Sequence, residues 1–411
     1  MNAATPPAHT GDEAPLAGYL VVDFTRVMSG PYCTRLLADM GANVVKIERP
    51  GEGDEVRYAQ PQLNPQRTDQ SAYFARLNAG KRSIALDFAH PMAREIVLGM
   101  VRKADVVIEN FSPGVMAKYG FDEPGLRAIK PDLIYCSISG FGQTGPLRSM
   151  QAYAHLINAF SGMMELERGG NAAPRASNLQ AADVLAGAHA FGAICAALLR
   201  RARTGRGAHL DVSMLECLVA ADDINFPALI NDVPVVRQPR IGMIVQAIGD
   251  RHVAMQLGGA PTMWPRLTEL MGRPELRDDT RFATPAARRE NWSALLAILG
   301  DWLGQFESVD KAVETLAAAR IPSVPMLMPE EIVGHPHMAA RGAFPNVAHP
   351  VSGSAKVTAT PFQLDHKAVV PAGPVPYRIG QHTQAVLVEL LDYSQDQIQS
   401  LAQAGVVALA K

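Results

Sequence analysis

The stretch YLVVDFTRVMSGPYCTRLLADMGANVVKIERP, residues 19–50, contains two short β-branched runs with a helical segment between them. The runs, residues 19–24 and 43–48, are apolar almost throughout, which is typical of strands buried on both faces. The segment 31–40 begins with Pro31, and proline is favoured in the first turn of a helix. A strand, a helix and another strand in this order predict a parallel sheet with helices on both sides.

The same alternation continues along the chain and extends the predicted sheet. A long apolar segment at 182–201 is rich in Ala and Gly, and it predicts an interior helix because small side chains let other backbone approach closely. A strand at 209–213 and a short helix from Met214 follow it. The intermediate apolar runs are residues 82–87, 105–109 and 133–138, and the helical patterns between them are residues 90–103 and 113–119.

The pattern of predicted strands and helices changes past residue 224, which predicts a second, smaller α/β unit. Residues 225–240 are loop-like with prolines, residues 251–257 read as a strand, and residues 264–303 contain two helical patterns. A Pro-, Val- and Gly-rich segment at 342–376 predicts an extended return to the first unit, which helices within 383–404 then close. We therefore assign a flexible tail to 1–16, a large domain to 17–224 and 342–411, and a small domain with its linkers to 225–341.

The composition is that of an ordinary globular protein, with 48% apolar and 19% charged residues. Lys and Arg total 38 against 40 Asp and Glu, a formal net charge of −2, so nucleic acid is not an expected partner. The four cysteines lie far apart without a C-x-x-C pair, which argues against a zinc site and a disulfide framework. The N-terminus lacks the features of a secretory signal, and no uncharged apolar run reaches the ~18 to 20 residues of a membrane span. We expect a cytoplasmic protein with no membrane partner.

Two glycine-containing turns could approach a ligand. Gly140-Phe-Gly-Gln-Thr-Gly145 matches the dinucleotide-binding pattern and follows a predicted strand, but Pro146 interrupts the start of a phosphate-binding helix. An NAD-binding oxidoreductase and a simple glycine-rich turn are the two interpretations. The first strand-to-helix turn, residues 26–31, leaves free amides at a helix start, which suits an anionic or carbonyl group.

Asp183 is the carboxylate that the pattern singles out, at the point where a polar stretch meets the long apolar helix. From spacing, it is either an N-cap or first-turn acid of the helix, or a nucleophile that the helix terminus keeps ionised while apolar neighbours remove its water. His155 and His189 lie in helical patterns, which favours packed, hydrogen-bonded histidines. Neither metal-ligand nor serine-hydrolase spacing is present.

Six blocks of sequence in the same order resemble the family III CoA-transferases, typified by formyl-CoA transferase, in a superfamily that also holds the α-methylacyl-CoA racemases. The likeness runs from about residue 17 to the C-terminus. The blocks are residues 21–57, LNAGKRSIALD (77–87), ADVVIENFSPGVMAKYGF (104–121), residues 138–146, AALLRRARTGRGAHLDVSMLE (196–216) and IGQHTQAVL (379–387).

This resemblance implies an enzyme with a Rossmann-like large domain, a small inserted domain and two chains that interlock as a homodimer. It implies Asp183 as the catalytic residue, with no metal and no tightly bound cofactor, because coenzyme A enters as a thioester substrate. Arg49 and Lys118 are the cations expected near the nucleotide phosphates. The residues implied to contact coenzyme A are Val27, Met28, Arg49, Leu86, Asp87, Asn110, Phe111, Lys118 and Tyr153.

Departures from the family pattern bear on the substrate. Formyl-CoA transferase has glutamine at Met28, glutamate at Ala154 and a run of four glycines where only Gly258-Gly259 stands here, which argues against formate and oxalate. The racemases have a catalytic histidine at the position of Tyr153, and tyrosine is poorly suited to complete a two-base proton relay.

The expected activity is transfer of CoA from a short-chain acyl-CoA, such as succinyl-CoA, to a small carboxylic, dicarboxylic or sulfinic acid. An aspartyl anhydride and an aspartyl-CoA thioester are the implied intermediates. Arg237 and Arg240 are candidate partners for the acid. A 2-methylacyl-CoA racemase, an NAD-binding oxidoreductase and a catalytically silent CoA-binding protein are the alternatives.

Overall fold

The computed structural model describes residues 14–167, 173, 175–177, 179–223, 225–234, 243–257, 261–351 and 353–410. These form two compact units, and the larger takes its residues from both chain ends, within 14–166, 175–234 and 336–410. The second unit contains residues 243–257 and 261–335, with 167 and 173. The predicted boundaries of the small domain, 225 and 341, stay predictions.

Most of the predicted N-terminal tail, residues 1–13, lies outside the described residues. Its last residues are anchored: Ala14 and Leu16 are buried, and the Leu16 amide donates to the Met40 carbonyl over 2.8 Å.

The described strands include one for each predicted strand, to within a residue or two, together with others that were not predicted. They are β1 Leu20–Asp23, β2 Asn43–Glu48, β3 Arg82–Leu86, β4 Val106–Glu109, β5 Ile134–Ser139, β6 Ala208–Ser213, β7 Met243–Ile248, β8 Arg251–Gln256, β9 Ser323–Pro325, β10 Asn346–His349, β11 Gly353–Lys356, β12 Gln363–Leu364, β13 Lys367–Ala368 and β14 Val407–Ala408.

Helices connect and cover these strands, and 3₁₀ turns span Glu55–Tyr58 and Pro274–Arg277. The α-helices are α1 Ser29–Asp39, α2 Ala72–Asn78, α3 Ala93–Lys103, α4 Val115–Lys118, α5 Glu123–Ile129, α6 Ala154–Phe160, α7 Met163–Glu167, α8 Ala181–Thr204, α9 Met214–Val219, α10 Asn225–Leu229, α11 Met263–Leu270, α12 Pro285–Glu290, α13 Trp292–Leu303, α14 Val309–Ala318, α15 Pro329–Val333, α16 Pro336–Ala340, α17 Thr383–Leu391 and α18 Gln395–Gln403.

Seven of the described strands form one sheet in the order β14-β3-β2-β1-β4-β5-β6. All neighbours are parallel except β14, which pairs antiparallel with β3. The predicted α/β class with a large parallel sheet is therefore confirmed. The chain moves outward in opposite directions from β1 and β4, and ligands of such sheets bind where the strand order reverses, beyond the carboxyl ends of the strands.

The sheet separates two apolar layers because neighbouring side chains on a strand point to opposite faces. Val22 and Phe24 pack with α3, α17 and α18 on one face, whereas Val21 packs with α1 and α8 on the other. Central strands buried on both faces explain why the runs read as continuously apolar.

Helix α8 lies in the second layer, and the prediction of an interior helix is correct for one face only. Ala186, Ala190 and Ile194 are buried, whereas His189 and Leu199 on the opposite side are exposed. The helix ends at Gly205, whose φ of 68° is left-handed, as the Thr204-Gly205 pair predicts. By length and apolar composition alone α8 would pass for a membrane span, a test that core helices of soluble proteins also pass.

The second unit packs helices α11, α13 and α14 around the antiparallel sheet β7-β8-β9. Its core includes Trp264, Phe282 and Leu299. The two predicted helical patterns within 264–303 correspond to α11 and α13. The prediction of a loop at 225–240 is wrong at its start, where α10 occupies Asn225–Leu229; residues 235–240 lie outside the described part.

Candidate active site

A cavity of about 560 Å³ opens beyond the carboxyl ends of β1 and β4 in the larger unit. That volume is in the range of about 300–1,000 Å³ typical of small-molecule sites. Its walls combine the first turn (Arg26 to Ser29), the segment after β4 (Asn110 to Pro113) and residues 148–153. The cavity thus lies at the point where the strand order of the sheet reverses.

The structure brings nine of the ten predicted site residues to this cavity. The exception is Lys118, which is exposed at the end of α4 and does not line the cavity, although Val115 and Tyr119 beside it do. Arg49 lines the cavity from an exposed position and pairs with Glu52 over 3.1 Å. The residues that line it are Val27, Met28, Arg49, Leu86, Asp87, Asn110, Phe111, Tyr153 and Asp183. Their roles toward coenzyme A stay predictions.

The cavity wall carries cations that the sequence did not single out. Arg26 and Arg148 are exposed and line it along with Arg49. Arg26 also lies over the ring of Phe111, 5.1 Å from its centroid. Such guanidinium groups suit phosphate oxygens.

Asp183 lies in the first turn of α8, where helix N-termini favour negative charge. Burial raises the pKa of this carboxyl to about 6, while hydrogen bonds from the Ser29 side chain and backbone, and the charge of His155, act to lower it. Gly187, one turn later, lets α8 approach α1 closely, since an added Cβ would lie 2.6 Å from the Ser29 carbonyl oxygen. The structure makes Asp183 an acid of the first turn rather than the N-cap, which is Gln180, and Asp183 also lines the cavity.

The first turn adopts a strained backbone at Val27, whose φ of 65° is left-handed. For a β-branched residue this conformation is a genuine outlier. Asn110 holds the preceding residue on both sides: its Oδ1 accepts from the Arg26 amide and its Nδ2 donates to the Arg26 carbonyl, each over 2.8 Å. Nδ2 also reaches the Ser29 hydroxyl at 3.3 Å. Asn110 therefore connects the end of β4 to the residue that bonds Asp183.

Two buried charged side chains, Lys46 and Asp54, hold the first turn through hydrogen bonds to its backbone. The ammonium group of Lys46 donates to the Thr25 carbonyl over 2.7 Å and pairs with Asp54 over 2.9 Å. The other carboxylate oxygen of Asp54 accepts from the Val27 amide at 3.2 Å. The amide of Met28, a residue that lines the cavity, has no acceptor within the described residues.

Histidine 155 was interpreted as a packed residue, and the structure corrects this. His155 is exposed on α6 and lies close enough to Asp183 for its charge to lower the pKa of that carboxyl. One ring nitrogen, Nε2, is 3.2 Å from the Gln180 side-chain nitrogen. His189 is also exposed, with Nδ1 2.8 Å from the Leu185 carbonyl.

The glycine pattern at 140–145 forms a turn. No helix follows Gly145 until α6 begins at Ala154, so the phosphate-binding helix start of a dinucleotide site is missing in this described segment. Gly140 instead lets the turn pack on Ala152, because an added Cβ would lie 2.1 Å from the Ala152 Cβ. The dinucleotide interpretation is thus not supported by the local structure.

Some predicted residues cannot be placed. Arg237, Arg240 and the pair Gly258-Gly259 lie outside the described residues. Where the chain is described, no group of three or more His, Cys, Asp or Glu side chains is arranged to hold a metal ion.

Residues that sequence reasoning missed are Ser29, Lys46, Asp54 and Arg148. Ser29 stands immediately before Gly30 at the start of α1, and a serine at a helix start beside a catalytic candidate is the signal that could have identified it. Lys46 and Asp54 act through contacts with the first turn, 21 and 27 residues away in sequence. Arg148 lines the cavity from an exposed position.

Known proteins resemble this chain over most of its length. Residues 16–383 match the family described as CoA-transferase family III. The chain is 33% identical to the succinate–glutarate CoA-transferase of Agrobacterium fabrum over 92% of its own length and 96% of that protein. It is 36% identical to the acetyl-CoA:oxalate CoA-transferase of Acetobacter aceti, over 83% and 87% of the two chains.

Solved structures give the same result. A CaiB/BaiF family protein from Brucella suis superposes with a TM-score of 0.79 at 33% identity, covering 92% of this chain and 99% of that one. A protein from Mycobacterium tuberculosis gives a TM-score of 0.80 at 28% identity over 92% and 99%. With a family match over residues 16–383 and relatives above 30% identity, the chain belongs to CoA-transferase family III and is a transferase enzyme.

Proposed function

We propose that this enzyme transfers CoA from a short-chain acyl-CoA, with succinyl-CoA as the preferred donor, to a small carboxylic, dicarboxylic or sulfinic acid. The observation that carries the proposal is the position of Asp183: a half-buried carboxylate, bonded by Ser29, on the wall of the cavity. Poor hydration leaves such a carboxylate reactive, while the pKa of about 6 keeps it mostly ionised at neutral pH.

In the first half-reaction a carboxylate oxygen of Asp183 attacks the thioester carbonyl of the donor. The carbon–sulfur bond breaks, CoA leaves as a thiolate and an acyl-aspartyl anhydride forms. The thiolate then attacks the aspartyl carbonyl carbon, which releases the donor acid as a carboxylate and leaves CoA on Asp183 as a thioester.

The second half-reaction runs the same steps in the opposite direction with the acceptor. Its carboxylate attacks the aspartyl-CoA thioester, expels the thiolate and forms a second anhydride. Attack of the thiolate on the acceptor carbonyl yields the new CoA ester and frees the Asp183 carboxylate. Protons balance without a general base, because every nucleophile enters as an anion and each leaving group departs as one.

The chain's own groups supply binding and orientation. Ser29 holds the attacking carboxylate, and the Met28 amide is a candidate donor to the thioester oxygen as negative charge develops on it. Arg26, Arg49 and Arg148 offer positive charge for the nucleotide phosphates. The relatives' names, which include succinyl-CoA:glutarate CoA-transferases of mouse and human, support succinyl-CoA as donor.

The test is direct detection of the adduct on Asp183. The purified enzyme is incubated with succinyl-CoA alone, digested, and the peptide that contains Asp183 is weighed by mass spectrometry with and without hydroxylamine. We expect a CoA-sized mass increase that hydroxylamine removes, and none in Asp183→Asn. Glu95→Gln, an exposed carboxylate in the first turn of α3, is the matched control and should label normally. Turnover without any adduct would refute the scheme.

A second candidate, 2-methylacyl-CoA racemase, is favoured by one observation, the proximity of His155 to Asp183. Two groups that exchange protons on opposite sides of an α-carbon are what a racemase requires. This activity predicts deuterium exchange at the α-carbon of a 2-methylacyl-CoA in heavy water, lost in His155→Ala. Formyl-CoA:oxalate transfer is a less favoured alternative, because Met28 and Ala154 replace the residues expected for it.

We also propose that the enzyme acts as an interlocked homodimer in the cytoplasm. Exposed apolar side chains on and beside α6 and α8 support a dimer, since Leu156, Phe160, Leu179 and Leu199 are each more than half exposed in the single chain. Light scattering coupled to gel filtration should give twice the monomer mass. A monomer at micromolar concentration would refute the dimer.

A further inference from the structure

Two tyrosines contact residues that neighbour Asp183, although neither of them lines the cavity itself. The phenol of Tyr73, on α2, donates to the Met28 sulfur over 3.0 Å, and Met28 lines the cavity with Asp183. The ring of Tyr32, on α1, packs at Gly187, where an added Cβ would lie 3.0 Å from the ring. Gly187 is one helical turn after Asp183, so both share a face of α8. The negative charge of Asp183 also raises the pKa of the Tyr73 phenol, after burial, which places the two groups close together.

Arg76 brings a positive charge to the same place. It stands three residues after Tyr73 on α2, and residues at this spacing share a helix face. Its backbone carbonyl accepts from the Arg35 guanidinium over 2.5 Å, which fixes α2 against the part of α1 that carries Tyr32. The charge of Arg76 acts to lower the pKa values of both Tyr32 and Tyr73.

The side chains of Arg76, Tyr32 and Tyr73 lack strong hydrogen-bond acceptors among the described residues. Arg76 is half-buried and, among the residues that the structure describes, no carboxylate pairs with its guanidinium. The Tyr32 hydroxyl likewise has no acceptor in the described part of the chain, and Tyr73 donates only to a thioether, which is a weak acceptor. A partly desolvated guanidinium is expected to have an anionic partner.

We infer that Arg76, Tyr32 and Tyr73 form a subsite for the second anionic group of the acid whose first carboxylate reacts at Asp183. This rests on the proposed function and names its substrate class: a dicarboxylate or an acid with an equivalent distal anion. The subsite acts most in the second half-reaction. Once Asp183 is esterified its charge is gone, and the entering dianion meets the positive charge of Arg76 without an opposing carboxylate.

The test compares acids matched in chain length that differ only in the second carboxylate: glutarate with pentanoate, and succinate with butyrate. Propionyl-CoA serves as donor, because it lacks a distal carboxylate and differs from every acceptor, so that each transfer yields a new CoA ester. The variants are Arg76→Met, Arg76→Lys and Tyr32→Phe, with Arg102→Met, an exposed arginine at the end of α3, as the matched control. Thermal denaturation of each variant checks folding.

The wild-type enzyme should prefer the dicarboxylate of each pair. Arg76→Met should lower kcat/KM for glutarate about 10- to 100-fold, as expected for loss of charge-assisted hydrogen bonds, and leave pentanoate within about twofold. Arg76→Lys should recover part of the loss and Tyr32→Phe should cost about fivefold on the dicarboxylate alone. Arg102→Met should match the wild type.

The outcomes that overturn the proposal are distinct from failure of the proposed function. Equal losses on glutarate and pentanoate, no loss on either, or a wild-type preference for the monocarboxylates would each refute the subsite. A wild-type enzyme that transfers CoA to no acid at all would refute the proposed function itself.

Discussion

The bonds from Asn110 to the first turn predict the effect of removing that side chain. In Asn110→Ala the Arg26 backbone loses both of its short hydrogen bonds, and the Ser29 hydroxyl loses the contact at 3.3 Å. Without these hydrogen bonds the strained backbone at Val27 is less stabilised, and Ser29 is no longer fixed against Asp183. We expect a fall in the rate at which Asp183 reacts, with little change in donor binding.

The size of the expected loss in kcat follows from two opposing free energies, that of the hydrogen bonds and that of the backbone strain. Two hydrogen bonds at about 1 kcal/mol each contribute about 2 kcal/mol, while a non-glycine residue in the left-handed region costs about 1–3 kcal/mol. The two free energies are of similar size. Loss of the Asn110 side chain therefore allows the backbone at Val27 to leave the left-handed conformation. Since 1.4 kcal/mol is a factor of ten, the expected loss in kcat is about 10- to 30-fold. Glycine adopts a positive φ without strain, so Val27→Gly in the same background should restore most of the lost rate.

The assay measures single-turnover labelling of Asp183 by acyl-CoA, together with kcat and KM, in the single variants and in the double variant. Asn64→Ala is the control, since Asn64 is a buried asparagine that accepts from a backbone amide and does not line the cavity. If Asn110 instead contacts coenzyme A, as the family resemblance implies, KM for the donor should rise and Val27→Gly should restore nothing. That result would refute the positioning role.

Three further predictions concern carboxyl groups in and beside the site. Asp183→Asn should lower transfer by about a thousandfold or more, because it removes the nucleophile, and residual transfer at wild-type rate would contradict the scheme. The kcat/KM profile should fall below pH 6, where the Asp183 carboxylate becomes protonated, and Ser29→Ala should move this inflection to higher pH because Ser29 lowers that pKa. Burial raises the pKa of Glu109 to about 7 from 4.5, so the folded state retains a proton that the unfolded chain releases. The free energy of unfolding should therefore fall as pH rises from 4.5 to 7, by at most about 3 kcal/mol; urea titrations of Glu109→Gln should lack this component, and unchanged pH dependence would contradict it.

The parallel sheet could be predicted from the sequence because its strands are buried on both faces and therefore read as continuous β-branched runs. Strand β2 was predicted with its observed bounds. The two-residue strand β14 was not, because its pairing with β3 depends on a chain segment more than 300 residues away. Helix α10 was missed because Pro227 within a short segment is a loop signal, although a proline in the first turn of a helix is tolerated.

The site was predictable only in part, and mainly through the family resemblance. Spacing alone left Asp183 between a structural and a chemical role. The contacts that hold the first turn could not be predicted because they are tertiary. Asn110, expected only as a contact for coenzyme A, lies 84 residues from Arg26, and Lys46 stands inside an apolar run where a charged residue is typical of an outward-facing side chain. Nothing in the sequence singled out Arg76, because its relation to the site depends on how α2 packs against α1.

The reactivity of Asp183 depends on two effects that oppose each other. Burial raises its pKa to about 6, and further burial would leave the acid protonated and unreactive at neutral pH. Hydrogen bonds from Ser29 favour the charged form, but more of them would stabilise the carboxylate and weaken it as a nucleophile. At a pKa of about 6, roughly nine-tenths of the enzyme carries the ionised group at pH 7. Two donors from one residue, itself held by Asn110, are therefore enough to keep a poorly hydrated carboxylate charged, which is the condition that attack on a thioester requires.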